Sequence, residues 1–316
     1  MGLFTKDKKV AGWMSIVPYE EGLRVAHILR ANQTRPEVQW IGFYPANKSA
    51  TEKPIDKVAK ELHANRYECT TLLGVNEYQL LSVEAPTVPR EELKVAIRWR
   101  LKDMLDFHVD DATIDVLDVP VDKDAPVRNH TMYAVAARNQ VIEQRQAMFA
   151  DAKIQLRAID IPDLAQRNIS ALLEPEGRGL AMLSFDDNGG LLTVTYLGEL
   201  YLSRRIDVTL AQLEQSDGDM KTAHFDKITL ELQRSLDHFD RQFHFITLSK
   251  LLLAPSGTAD RELQAYLASN LYVPVETFNL DEVLDFAQIP ELATPVGQQQ
   301  YFMTLGAALR VEEKVL

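Results

Sequence analysis

Five consecutive residues, DDNGG at 186–190, have the residue types of a phosphate-binding loop and also those of a hairpin turn. Backbone N–H groups of such a loop cradle an anion when a cation or a hydroxyl group lies beside them. Asn-Gly and Gly-Gly equally supply the positive φ angles that a two-residue β-hairpin needs, and apolar runs flank this stretch. The place of the stretch in the fold therefore decides between phosphate binding and a plain turn.

The composition narrows the classes of protein to consider. The chain has 316 residues, 46% of them hydrophobic, and a formal net charge of −12, which argues against nucleic-acid binding. Its one cysteine, Cys69, rules out an internal disulfide framework and fits a small buried side chain in a reducing compartment. No apolar run reaches the length of a membrane span, so the sequence predicts a cytoplasmic protein that is not membrane-spanning.

The histidine spacing and the common enzyme motifs bear on metal and cofactor binding. His224, His238 and His244 are close in sequence, but their spacing is not the i,i+4 pair of a helical zinc site, so we expect no metal. The sequence contains no motif of an α/β-hydrolase, a zinc metalloprotease, a P-loop or a Rossmann nucleotide site.

The order of the predicted elements occurs twice. Apolar alternation and turn residues predict three strands followed by helix, strand and helix in each half of the chain. The strands are predicted at 9–17, 23–29, 38–44 and 70–73, and again at 179–185, 191–197, 200–206 and 250–254. Two β-β-β-α-β-α halves in tandem are the plan of the actin-like, ribonuclease H-like α/β fold. In that fold the first hairpin turn of each half borders a nucleotide cleft, which is where 186–190 would lie.

An insertion separates the two halves. A helix at 90–105, strands at 113–119 and 131–137 and a helix at 140–152 predict a compact α/β lobe. The expected division is therefore a first half over 1–86, the inserted lobe over 87–153, a return to the first half over 154–178, a second half over 179–300, and a C-terminal helix over 301–316 that packs back on the first half.

The residues also resemble a family. AIRWRLKDMLDF at 96–107, MYAVAAR at 132–138, QLRAIDIPDLAQR at 155–167 and YFMTLGAALR at 301–310 resemble, in the same order, motifs of PilM-type type IV pilus assembly proteins. That family has an FtsA-like variant of the actin fold, in which an insertion named subdomain 1C replaces the usual subdomain 1B. The resemblance implies that 87–153 is subdomain 1C.

The resemblance implies a scaffold at the cytoplasmic face of the inner membrane, peripheral to it. Such proteins bind the cytoplasmic N-terminal tail of a single-pass, PilN-like partner between subdomains 1A and 1C, and a pilus motor ATPase is a further expected contact. A tail would bind as an extended segment. The expected walls of the groove are Arg98, Trp99 and Leu105 on the insertion's helix, facing Tyr44 and Thr71.

Some members of the family bind ATP, and this chain departs from their phosphate loops. The first loop becomes GWMSIVPYEEG at 12–22, with no metal-binding Asp, with Pro18 in place of an N–H donor, and with Arg24 as the one stand-in for the lysine. The adenosine loop becomes APSGTA at 254–259. We therefore expect no ATP or Mg²⁺ cofactor and no enzyme activity, and we read 186–190 as a turn. The alternative is an ATP-binding protein, ATPase or kinase of the same fold, since a fold does not fix a function. The remnant loop positions are Ser15, Arg24, Asp186, Asp187, Gly189, Ser256 and Gly257.

Overall fold

The structure is a computed structural model, and it describes residues 9–30, 35–46, 52–121, 130–257 and 260–311. Contacts divide the chain into two compact units, one of Met1–Val25, Gly42–Pro162 and Arg310–Leu316 and the other of Ala26–Ile41 and Asp163–Leu309. The division falls within the second strand, within the third strand, after Pro162 and after Leu309.

The first five-stranded sheet has the order β3-β2-β1-β4-β8, with β8 at one edge. Its strands alternate between buried and exposed side chains, or are buried throughout, as the sequence pattern requires. They are β1 Trp13–Tyr19, β2 Gly22–Leu29, β3 Glu37–Pro45, β4 Glu68–Leu72 and β8 Leu156–Asp160, and helix α1 spans Pro54–Glu61.

The inserted lobe has a three-stranded antiparallel sheet of its own, in the order β5-β7-β6. These strands are β5 Tyr78–Glu84, β6 Ala112–Asp118 and β7 Thr131–Arg138, and the helices are α2 Leu93–Leu101 and α3 Asn139–Asp151. Ile97 and Leu101 of α2 are fully buried against one face of this sheet, where they contact Val116 and Ala134. Helix α3 then leads directly to β8.

The second five-stranded sheet repeats the arrangement, in the order β11-β10-β9-β12-β13. Helix α6 buries an apolar stripe at helical spacing, as its sequence predicts. The strands are β9 Gly179–Asp186, β10 Gly189–Tyr196, β11 Glu199–Ile206, β12 Leu248–Leu253 and β13 Val275–Thr277; the helices are α4 Pro162–Ser170, α5 Leu210–Gln215, α6 Gly218–Gln242, α7 Asp260–Asn270 and α8 Pro295–Ala308.

Several elements differ from the sequence-based prediction. The first strand, expected at 9–17, spans Trp13–Tyr19 and so includes Pro18, which lies past the Trp13–Ser15 stretch that pairs with β4 and costs no bond to that strand. The helix predicted at 90–105 is shorter: a 3₁₀ turn over Arg90–Glu92 precedes α2, and the chain turns after Leu101. Strand β5 lies in the range expected for the first half, 1–86, but pairs with β7 of the lobe sheet along its whole length.

Candidate functional site

A groove of about 280 Å³ lies within the first unit, between the lobe sheet and strand β8. Side chains of β6 and β7 form one wall, α3 contributes Ile142, and β8 with the residue after it forms the other side. The apolar side chains of the lining are Leu73, Val135, Ala137, Ile142, Leu156, Ala158, Ile159 and Ile161.

The wall from the lobe sheet is the face that α2 leaves uncovered. Thr113 and Asp115 on β6 pair with Ala137 and Val135 on β7, and all four line the groove. Their neighbours along the strands point to the opposite face, because side chains alternate along a strand. The lobe therefore uses one face of its sheet for its own core and the other for this groove.

Strand β8 gives the groove hydrogen-bonding capacity. It pairs in parallel with β4, with Thr70 opposite Ala158 and Thr71 opposite Ile159, and it is the last strand in the order of its sheet. An edge strand presents a row of backbone N–H and C=O groups to whatever lies beside it. Here an apolar groove lies beside that row, so the site suits an extended peptide that adds to the sheet.

Two charged side chains stand at the rim of the groove. Asp115 is 2.8 Å from Nζ of Lys94, and Arg157 is 3.7 Å from Oε1 of Glu68. The Arg157 side chain keeps 49% of its surface exposed, so its pairing leaves it open to solvent. The lining of the groove thus includes one acidic and one basic side chain, Asp115 and Arg157, beside its apolar residues.

The five predicted groove residues lie in different surroundings. Arg98 donates from Nη1 to the carbonyl oxygen of Val109 at 2.5 Å and from Nη2 to that of Ala112 at 2.9 Å, so it braces the start of β6. Trp99 is 71% exposed on the outer side of α2, and Leu105 packs on the lobe core. The Tyr44 hydroxyl group forms a hydrogen bond with Glu61. Burial, more than the charge of Glu61, raises the pKa of Tyr44 to about 12. Thr71 is fully buried and lies next to the groove through its register with Ile159.

In the stretch expected to correspond to the first phosphate loop, the candidate residues are buried or engaged by neighbouring side chains. Ser15 is fully buried in β1. The guanidinium group of Arg24 pairs with Glu21 and lies 4.4 Å from the ring centroid of Tyr19 and 5.5 Å from that of Phe43. Only 14% of the Arg24 side chain is exposed, so the cation that would meet a phosphate is already engaged within its own unit.

The second remnant loop is a two-residue turn between β9 and β10. Asp186 Oδ1 accepts a hydrogen bond from the backbone N–H of Asn188 at 2.7 Å, and burial raises the pKa of Asp186. Gly189 has φ +126°, and a Cβ there would lie 2.7 Å from the carbonyl oxygen of Ile206, so glycine is needed for the close approach of the strands. Asp187 occupies the turn itself. The residues DDNGG therefore build a hairpin.

The stretch expected to be the third loop, after β12, shows no catalytic or metal-binding arrangement in the described residues. Ser256 is buried, and Gly257 has φ +90° in the loop after β12. The described residues include no group of three His, Cys, Asp or Glu side chains placed to hold a metal ion. Among the helices in the described part of the chain, none has the length and apolar run that a bilayer crossing needs.

Sequence reasoning missed the residues that line the groove, of which Ala158 and Ile159 are the central ones. The signal available was the apolar alternation at 156–161, which indicates extended chain and in the structure forms β8. Its position at the edge depends on the order of the strands, and its contact with Val135 and Ile142 depends on the path of α3. Hydrophobic periodicity encodes neither of these.

No protein-family model and no curated protein matches this sequence. Solved structures do match. The structure titled PilM-PilN type IV pilus biogenesis complex has a TM-score of 0.67 and 17% identity, over 95% of this chain and 98% of that one. With the repeated sheet order, this similarity decides the fold. The chain has an actin-like α/β fold.

More distant structures resemble this actin-like chain at lower scores. The cytoplasmic domain of EpsL, an inner-membrane component of the type II secretion system of Vibrio cholerae, has a TM-score of 0.45 and 12% identity, over 83% of this chain and 97% of that one. A protein of Bacteroides thetaiotaomicron described as having an actin-like ATPase fold and unknown function has a TM-score of 0.49 and 11% identity, over 90% and 96%.

Proposed function

We propose that this chain is a noncatalytic scaffold of a type IV pilus assembly platform, and that its groove holds the cytoplasmic N-terminal tail of a bitopic, PilN-like protein. The observation that carries the proposal is the edge of β8 lying along an apolar groove, in a chain whose fold resembles that of a PilM-PilN complex. The sequence motifs at 96–107 and 155–167 support the same assignment, because they bracket the elements that build the groove.

The tail would add to β8 as a further strand. Backbone hydrogen bonds to the edge would hold it, and alternate side chains would enter the groove between Ile159 and Val135. Side chains at the ends of the bound segment would meet Asp115 and Arg157, so the best-bound tail carries apolar residues in its centre and polar or charged ones on either side. Of the five residues named from the sequence, Thr71 stays in the proposal as support for β8 from behind. Arg98, Trp99 and Leu105 belong to the side of the lobe that faces away from the groove, and Tyr44 lies on β3, so we propose no direct contact of these four with the tail.

The finer assignment concerns the pilus that is served. Within the PilM-type family we propose a resemblance to MshI. The proposal then includes the mannose-sensitive haemagglutinin pilus, a location at the inner-membrane face, and contact with a pilus motor ATPase. The insertion expected at 87–153 belongs to the same proposal as subdomain 1C. The lobe sheet also includes β5, so we propose that the lobe begins before residue 87.

The proposal also includes a degenerate nucleotide site. Two observations support it: Arg24 is held by Glu21 and two aromatic rings, and Asp186 with Gly189 closes a tight hairpin. In the described residues the Arg24 guanidinium is held by Glu21 and two rings, and the Asn188 N–H is bonded to Asp186, so both groups are engaged that would otherwise meet a phosphate.

The test is a binding titration with synthetic N-terminal tails of bitopic pilus proteins, read by fluorescence anisotropy. Ala158→Trp places a large side chain in the groove without removing a contact of the fold. We expect it to weaken tail binding at least about tenfold, which is about 1.4 kcal/mol. Ala147→Trp, on an exposed position of α3 outside the groove, is the matched control and should bind like the wild type.

Two outcomes would contradict the proposal at different levels. A folded Ala158→Trp variant with wild-type affinity would mean that the tail binds elsewhere. A wild-type chain that binds none of the tails would remove the scaffold assignment itself.

A further inference from the structure

The outer side of α2 carries an apolar patch that the fold does not use. Trp99 is 71% exposed and Val95 is 59% exposed, whereas Ile97 and Leu101 on the inner side of the same helix are fully buried. Val95 and Trp99 are at i,i+4 spacing and therefore neighbours on the helix surface, so together they form one contiguous apolar patch. The helix is therefore apolar on two opposite sides, only one of which packs on the lobe.

Charged residues extend this patch into a stripe. Glu92, the last residue of the 3₁₀ turn before α2, lies three residues before Val95, and Lys102, the residue that follows α2, lies three residues after Trp99; both are exposed. Helical spacing continued by one residue at each end puts them on the same side as Val95 and Trp99. The basic side chains nearer the lobe sheet are already paired, Lys94 with Asp115 at 2.8 Å and Arg100 with Glu84 at 3.4 Å. We refer to Glu92, Val95, Trp99 and Lys102 as the α2 stripe.

The order of residues in the α2 stripe is symmetric about residue 97. The spacings are three, four and three, so reversing the direction of the helix exchanges Glu92 with Lys102 and Val95 with Trp99. In two antiparallel copies of the helix, each Glu92 would lie opposite Lys102 of the other copy. The two Glu92–Lys102 pairs formed in this way would be about 15 Å apart along the helix axis. Antiparallel helix dipoles add a favourable term of the same sign.

We propose that this chain associates with a second copy of itself through the α2 stripe, in an antiparallel, two-fold symmetric contact. The charge pattern is what identifies the occupant, because a surface that is complementary to its own reversal fits an isologous dimer. Trp99 of each copy would pack on Val95 of the other, and two Glu92–Lys102 pairs would flank this centre. This proposal does not depend on tail binding.

The size of the stripe predicts a weak, reversible dimer. One short helix per copy buries less than the roughly 1,200–2,000 Å² of a stable complex, so we expect dissociation constants from tens to a few hundred micromolar. The net charge of −12 also opposes association at long range. At about 0.15 M salt the screening length is about 8 Å, which limits that repulsion while the close contacts remain.

The experiment is sedimentation equilibrium of the full chain, up to about 500 μM, a range suited to weak interfaces. We expect concentration-dependent dimerisation of the wild type and none for Trp99→Asp. Glu92→Lys and Lys102→Glu should each weaken association at least about tenfold, because each places like charges opposite one another twice. The double variant Glu92→Lys/Lys102→Glu should return to within about threefold of the wild type, because the reversed pairs are again opposite in sign.

Matched variants keep the result interpretable. Met220→Asp replaces an apolar side chain that is 67% exposed on α6, and it should leave dimerisation unchanged. A wild type that stays monomeric over the whole range would overturn the proposal, and so would a Trp99→Asp variant that dimerises normally. A double charge variant as weak as the single ones would overturn the antiparallel arrangement, since recovery is specific to it.

Discussion

Gln166, in the middle of α4, joins that helix to the hairpin of β9 and β10. Its side chain is fully buried. Its Nε2 donates to the carbonyl oxygens of Met182 at 3.0 Å and Leu191 at 3.1 Å and lies 2.9 Å from Oγ1 of Thr193, and its Oε1 accepts from Oγ of Ser184. One side chain therefore satisfies polar groups on both strands of the hairpin.

Gln166→Leu keeps the size of the side chain and removes these bonds. A buried polar group left without its partner costs about 1–3 kcal/mol. The two hydroxyl groups can turn to other acceptors and each carbonyl has a second lone pair, so we count about two full penalties. We therefore expect the free energy of unfolding to fall by about 2–6 kcal/mol.

Urea unfolding followed by circular dichroism measures this loss, with the slope of the transition checked for a change in cooperativity. Gln233→Leu is the matched control: its Nε2 donates to the carbonyl oxygen of Asn270 at 2.9 Å on an exposed side of α6, so it should cost no more than about 0.5 kcal/mol. A loss below about 1 kcal/mol for Gln166→Leu would refute the reasoning.

Two further predictions concern chemistry. Burial, with a smaller contribution from the charge of Glu68, raises the pKa of the Cys69 thiol to about 12, so the thiol stays protonated at neutral pH. It should therefore react with a thiol reagent at pH 8 only in denaturant. Rapid labelling of the folded chain would contradict this. Calorimetric titration with Mg-ATP should give no binding tighter than high micromolar and no turnover, because Arg24 is engaged by Glu21 and Tyr19; a low micromolar dissociation constant, about −8 kcal/mol, would contradict it.

The sequence predicts most strands of the two large sheets because their side chains alternate or form short apolar runs between turn residues. The hairpin at 186–190 is an example, since DDNGG encodes its own turn. Strand β5 shows where this stops: its pattern identifies a strand but not its partner, and its pairing with β7 rather than with β4 is a tertiary choice. The missed β13 is a three-residue strand, too short to produce a period.

The groove could not be predicted from the sequence in the same way. Ala158 and Ile159 read as an ordinary strand, and the free edge beside them exists only because β8 is last in its sheet. Arg98 shows the reverse case. An arginine on an amphipathic helix suggests a binding surface, but its guanidinium group reaches two backbone carbonyls at the start of β6, and nothing in the local pattern distinguishes these two uses.

The two proposed contacts use opposite sides of the same lobe. Thr113 and Asp115 on β6 face the groove, whereas Ile114 and Val116 between and beyond them face the core that α2 covers. The α2 stripe lies on the far side of that helix, so a dimer formed through Trp99 would leave both grooves open. Trp99→Asp should therefore bind a tail as the wild type does, and Ala158→Trp should still dimerise. If each substitution instead weakened both activities, the lobe would respond as one body whose packing couples the two faces through Ile97 and Leu101.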